Sequence, residues 1–327
     1  MNTCSILRSV FAAAVFLTFA VQAGTGQFDL KVCEEKGAYY FAEHDITKGD
    51  SKLKYAVIYI HGAKGGARDA AKNLRVHMMR YSKNEKVYCI APSFFVAKTV
   101  KKSKCKDALL WENGWRGGDA AINGNHISSY EIIDRIYTIL SDSKLYPAMK
   151  RITLCGFSAG GQFVNRYVAV GKLPAAPHIE TVFVVGNPSI YLYINKLRYV
   201  DGEFREINAD NDFNTWYYGL DKRNGYCKNL SLEEIMKNLS GRKTLYFCGT
   251  ADTGGMMTRE AILQGKNRYD RFLIYKKYTS LFSEWAKAIR FFAVPGIKHS
   301  SEVFYKNDTV PQWILGKEPI QTADEIR

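Results

Sequence analysis

The stretch Arg151-Ile152-Thr153-Leu154-Cys155-Gly156-Phe157-Ser158-Ala159-Gly160-Gly161 constrains this 327-residue chain more than any other. A short apolar run of strand character enters Gly-x-Ser-x-Gly. Phe163, Val164, Tyr167 and Val168 then recur at helical spacing until Gly171 and Pro174. A strand that turns at once into a helix needs residues without a Cβ where the two backbones cross, and Gly156 and Gly160 stand there. Such a turn lifts the Ser158 hydroxyl above the end of a sheet. It also aims the free N–H groups and positive dipole end of the helix at whatever binds beside it. Three fixed positions arise by chance in roughly one chain of this length in ten, so the flanks and partners must decide.

The rest of the chain supplies them. Tyr55 to Ile60 is a continuous apolar run, as expected of a strand covered on both faces. It ends in His61-Gly62-Ala63-Lys64-Gly65-Gly66. Ala38 to Glu43 reads as a first strand in an edge hairpin, and Lys86 to Ala91 as a strand closed by Pro92. Thr181 to Val185, Lys243 to Cys248 and Arg290 to Val294 complete the set. Between them, Asp69 caps a helix through about Arg80, and Ser128-Ser129-Tyr130-Glu131 is a capping box opening another. Further helices are expected over 230–239 and between 267 and 289. Strands alternating with helices imply an α/β fold with a mainly parallel sheet and helices on both faces. Ligands of such sheets bind beyond the carboxyl ends of the strands. Four chemical elements fall at such ends: His61-Gly62-Ala63, Ser158, Asp252 and His299.

A serine hydroxyl is a weak nucleophile until a base takes its proton, and an imidazole base works best when a carboxylate fixes its tautomer. Ser158, His299 and Asp252 supply those roles, with Asp270 or Asp119 as alternative acids and His126 as a rival base. With nucleophile, acid and histidine in that chain order, residues 50–305 resemble the α/β-hydrolase superfamily. Gly156 to Gly161 is similar to its secreted esterase and polyester-depolymerase type. The resemblance implies a serine hydrolase cleaving carboxylic esters through an acyl-enzyme. It also implies an oxyanion hole from the backbone N–H groups of Ala159 and Ala63, with Lys64 next in line. His61-Gly62-Ala63-Lys64 departs from the fuller glycine run of many lipases. A peptidase of the same fold, and a binding protein that keeps the fold without catalysis, are the alternatives.

Loops add detail. The irregular segment 93–125 carries Trp115 and Arg116 between glycines, where Trp115 either lines a substrate pocket with His61 and Lys64 or anchors the loop. His61 is assigned to supporting the oxyanion loop rather than to base catalysis. An aromatic-rich insertion at about 187–241 sits between the sixth strand and the acid strand, the place for a lid or acyl-binding wall, or else for a packed excursion. Residues 24–327 read as one domain.

Composition bounds the setting. Met1 to Arg8, an apolar run to Ala20 and Val21-Gln22-Ala23 describe a signal peptide over 1–23, and hence a secreted protein, extracellular or periplasmic. No second apolar run of that length follows, so no stable membrane insertion is expected. The net charge of +14 comes from 46 basic and 32 acidic residues spread along the chain. Only Lys98 to Lys106 is densely basic, and no nucleic-acid motif accompanies it. Cys89, Cys155 and Cys248 lie in apolar runs as buried thiols, whereas Cys33, Cys105 and Cys227 sit in loops as candidates for disulfides. Asn229, Asn238 and Asn307 open glycosylation sequons. No metal or other cofactor is implied, and the partner expected is a small or polymeric ester substrate.

Overall fold

Each run read above as a strand is one in the computed structural model, which describes residues 25–32, 35–82, 85–101, 105–124, 126–207, 212–301, 309–317 and 326. The signal segment, Cys33 and the Asn307 sequon lie outside them. Strands β1 (Gly26–Asp29), β2 (Tyr39–Ala42), β3 (Tyr55–Ile60), β4 (Val87–Pro92), β5 (Arg151–Phe157) and β6 (Glu180–Gly186) precede the insertion. Within it β7 (Leu197–Val200) and β8 (Glu203–Glu206) form a separate hairpin, and β9 (Lys243–Gly249) and β10 (Ile289–Val294) follow. The eight sheet strands run in the order β1-β2-β4-β3-β5-β6-β9-β10. From β4 to β10 every pairing is parallel, while β1 and β2 add an antiparallel edge.

Burial alternates along each central strand, because successive side chains point to opposite faces. On β3, Ala56, Ile58 and Ile60 join one core and Val57 and Tyr59 the other. The first core is closed by helices α3 (Ser129–Leu140), α4 (Ala159–Val170), α5 (Leu232–Gly241), α7 (Arg268–Thr279) and α8 (Ser283–Lys287). The second is closed by α1 (Ala67–Ser82), through Leu74 and Met78, and by the short helix Thr309–Ile314, through Trp313. Full burial of each such side chain contributes about 1.5–3 kcal/mol. All twelve residues of α4 are buried, so it is a central helix rather than an amphipathic surface one. Two further short helices are α2 (Ala97–Val100) and α6 (Arg259–Ile262).

Several expectations shift. Helix α1 begins at Ala67, directly after Gly66 at φ 89°, so Asp69 lies in the first turn and faces the dipole instead of capping it. Pro92 is the last residue of β4 rather than the stop beyond it, and pairs with Tyr40. The Ser128 capping box is present: its side chain accepts from the Tyr130 N–H and its own N–H donates to Glu131 Oε2.

The insertion is packed onto the rest of the domain through its aromatic residues. Tyr191, Tyr193, Phe213 and Trp216 are buried; Tyr191 stacks on Tyr275 of α7 and Tyr193 packs at a tilt on Tyr278, with centroids 4.3 Å apart in each case. Two buried guanidinium groups tie it down through carbonyl oxygens. Arg198 donates to Asn195, Leu197 and Phe213, and Arg166 to Tyr217, Arg116 and Gln162. Burial, the dominant influence, lowers both to about 10.

Cys89, Cys155, Cys227 and Cys248 are buried free thiols. Cys227 therefore departs from the disulfide expectation; its Sγ donates to Asn224 Oδ1 inside the core. Asn229 is exposed, whereas the Asn238 amide donates to the Ala169 carbonyl. No helix among the described residues is long and apolar enough to cross a membrane.

Candidate active site

Register brings the carboxyl ends of β3, β5, β6, β9 and β10 into line: Ile60 pairs with Gly156, Phe157 with Gly186, and Val294 with Gly249. Above this edge the chain must turn from β5 into α4 within one residue. A Cβ on Gly156 would lie 2.4 Å from Gly160 O, and one on Gly161 2.5 Å from Gly186 O, so only hydrogen fits at those crossings. Ser158 takes up the remaining strain at φ 58° and ψ −113°. It is held there because its N–H donates to Gly186 O at 2.9 Å and its carbonyl accepts from the Gln162 N–H at 3.0 Å.

Ser158, His299 and Asp252 form one hydrogen-bonded chain. His299 Nδ1 lies 2.7 Å from Asp252 Oδ2 and His299 Nε2 lies 2.9 Å from Ser158 Oγ. A carboxylate only accepts, so Nδ1–H donates to Asp252 and Nε2 is left to receive the serine proton. Phe157 packs against the imidazole with centroids 4.8 Å apart. The His299 side chain is 32% exposed and that of Asp252 only 1%: the hydrogen-bonded chain runs from the surface into the interior.

Burial alone would push the Asp252 carboxyl up. Hydrogen bonds from His299 and Asn187, with the charges of His299 and Arg268, outweigh it and hold the carboxyl below its ordinary range. The Asn187 amide donates to Oδ2 at 2.7 Å and Arg268 Nη1 to Oδ1 at 3.1 Å. Sequence reading missed both. Asn187 stands at the end of β6, the strand-end position that singled out the others, while nothing in the pattern around Arg268 marks it.

The loop after β3 is built on His61. The Phe94 N–H, which can only donate, reaches His61 Nε2 at 3.0 Å, so the proton sits on Nδ1 and goes to Gly62 O at 2.8 Å. Gly62 O also accepts from the Gly65 N–H at 3.0 Å, folding Ala63 and Lys64 into an exposed turn. Burial pushes this imidazole below its ordinary range, and both nitrogens are engaged away from Ser158. Trp115 is buried, its ring 4.8 Å from His61 and stacked on Phe94. Packed in this way, it anchors the loop. Ala159 is the first residue of α4, where an N–H has no acceptor within the helix.

The alternatives are tied up elsewhere. Asp119 accepts from Tyr217 and Asn224, and Asp270 from the Lys266 N–H near the start of α7. His126 is exposed on the rim of a cavity of about 630 Å³ beside α3, lined also by Asp134, Lys172 and Tyr226.

No protein-family model and no curated protein sequence matches this chain. Solved structures do. LpqC, a poly(3-hydroxybutyrate) depolymerase from Bordetella parapertussis, superposes with a TM-score of 0.60 at 18% identity, covering 91% of this chain and 92% of that one. Poly(aspartic acid) hydrolase-1 from Sphingomonas sp. KT-1 gives 0.58 at 18% identity, covering 86% of this chain and 96% of that one. The parallel sheet, with its serine turn at the end of a central strand, thus continues a likeness that runs almost the whole length of both structures: the chain has the α/β-hydrolase fold.

Proposed function

We propose that the chain is a secreted serine hydrolase that cleaves carboxylic esters through an acyl-enzyme on Ser158. One observation carries the reading: Ser158 Oγ lies 2.9 Å from His299 Nε2 while the other ring nitrogen is held by Asp252. As Ser158 Oγ attacks the ester carbonyl, its proton passes to Nε2, and the buried Asp252 carboxylate stabilises the imidazolium. The N–H groups of Ala159 and Ala63 receive the developing oxyanion, each such donor contributing about 3 kcal/mol. His299 then gives its proton to the departing alcohol. A water molecule, deprotonated by the same nitrogen, releases the acid and restores Ser158.

The partial exposure of His299 leaves the site within reach of a polymer segment as well as a small ester, in keeping with the depolymerase among the similar structures. Cleavage near Ala23 would release residues 24–327 as one exported hydrolase domain, its insertion serving as a packed wall. A second reading is amide hydrolysis by the same residues, favoured by the likeness to a poly(aspartic acid) hydrolase.

Rates on aryl esters of increasing acyl length, on a polymeric ester and on peptide amides separate these readings. Ester hydrolysis that falls at least about a thousandfold in S158A is expected. Undiminished ester turnover by S158A would overturn the proposal, and a preference for amides would select the second reading.

A further inference from the structure

One cation touches this site without taking part in the proton path. Arg268, the first residue of α7, reaches Asp252 through the oxygen that His299 leaves free: Nη1 donates to Oδ1, while His299 and Asn187 share Oδ2. Its Nε donates to Ser189 Oγ at 3.0 Å and its backbone N–H to Gly254 O at 2.8 Å, so the guanidinium is held at both ends. The side chain is only 14% exposed. A neutral donor would satisfy Oδ1 equally well; a fixed positive charge does more. It keeps a buried carboxylate ionised, and it opposes a second positive charge on the imidazole that shares that carboxylate.

We infer that Arg268 is a positioning residue: it locks Asp252 from the side opposite His299, and its charge extends the working range of the site toward acid. The inference rests on Ser158 acting as the nucleophile.

Among the described residues, the other groups that face the pair do not supply this effect. Cys248 on β9 and Tyr191 in the insertion are kept neutral, burial pushing both well above their ordinary values. Arg271, one turn further along α7, spends its guanidinium on the carbonyl oxygens of Gly265, Ser189 and Met256. Without Arg268, the carboxylate would keep two donors and the imidazole would lose the opposing charge beside it.

The test is the pH dependence of phosphonylation of Ser158 by an aryl phosphonate, measured on the full chain, R268Q, R268K and S189A. In R268Q the acid limb is expected to move up by about one pH unit, with a several-fold lower plateau. R268K, which keeps the charge, should return the limb to its original place. S189A, which frees Nε but keeps the charge, should lower the plateau and leave the limb where it was. An unmoved limb in R268Q, or equal movement in R268Q and R268K, would overturn the inference; if R268Q does not fold, a limb displaced in R268K or S189A would do so. Wild-type protein that takes no label would instead overturn the reading of Ser158 itself, and this inference with it.

Discussion

Gly160 and Ile60 meet with no room for a side chain: a Cβ on Gly160 would stand 2.1 Å from the Ile60 carbonyl oxygen and 2.9 Å from that of His61. The first turn of α4 therefore rests directly on the end of β3, and this contact sets where Ser158 stands relative to the loop of Ala63.

Because both partners are backbone, neither can move aside. Gly160→Ala is expected to cost about 3 kcal/mol or more, as overpacking against rigid neighbours does. Gly241→Ala, at a position with open space, should be nearly neutral. Urea unfolding of the two variants checks the difference.

His61 works through its two hydrogen bonds, not through titration. His61→Phe keeps the ring packing against Trp115 but leaves the buried Phe94 N–H without an acceptor and frees Gly62 O of one donor. A loss of about 1–3 kcal/mol in stability is expected. Ester turnover should fall about tenfold or more as the Ala63 loop loosens, with phosphonate labelling of Ser158 retained. Equal loss of labelling and stability would mean that the site had simply unfolded.

Asp134 of α3 couples stability to pH. Burial raises its carboxyl to about 6, only partly offset by hydrogen bonds from Tyr167 and Tyr226. The folded state then holds the proton more tightly than the unfolded state, so stability is greatest below the unfolded value and declines as pH rises to about 6. The amount is about 3 kcal/mol. Asp134→Asn should abolish this part of the decline between pH 4 and 6, as thermal melts across that range would show. A wild-type slope unchanged in the variant would contradict it.

Much of this architecture was legible because it is written in local patterns. Tyr55–Ile60 is buried on both faces and so is apolar throughout, and the Ser128 to Glu131 capping box announces its helix. Ser158, Asp252 and His299 were found because each follows a strand. Strand β1 was missed because four half-buried residues at an antiparallel edge carry little hydrophobic signal. The β7–β8 hairpin did leave a mark, Asp201-Gly202 at φ 51° and 91°, a favoured pair for a two-residue turn. Arg268 and Arg198 could not be read in this way. A buried arginine is indistinguishable in sequence from a surface one, since nothing in the local pattern marks which carbonyl or carboxylate oxygens the fold gathers around it. The aromatic insertion is no more legible: Tyr191 and Tyr193 are core residues packed against α7, and their spacing does not say so.

Activation of Ser158 as a nucleophile by His299 and Asp252 can be read without a substrate, by intact-mass measurement after exposure to an aryl fluorophosphonate. One adduct per folded chain is expected, located on the peptide containing Ser158, absent from S158A and slowed at least about a hundredfold in H299A and D252N. Folded protein that stays unmodified, or an adduct that persists in S158A, would contradict it.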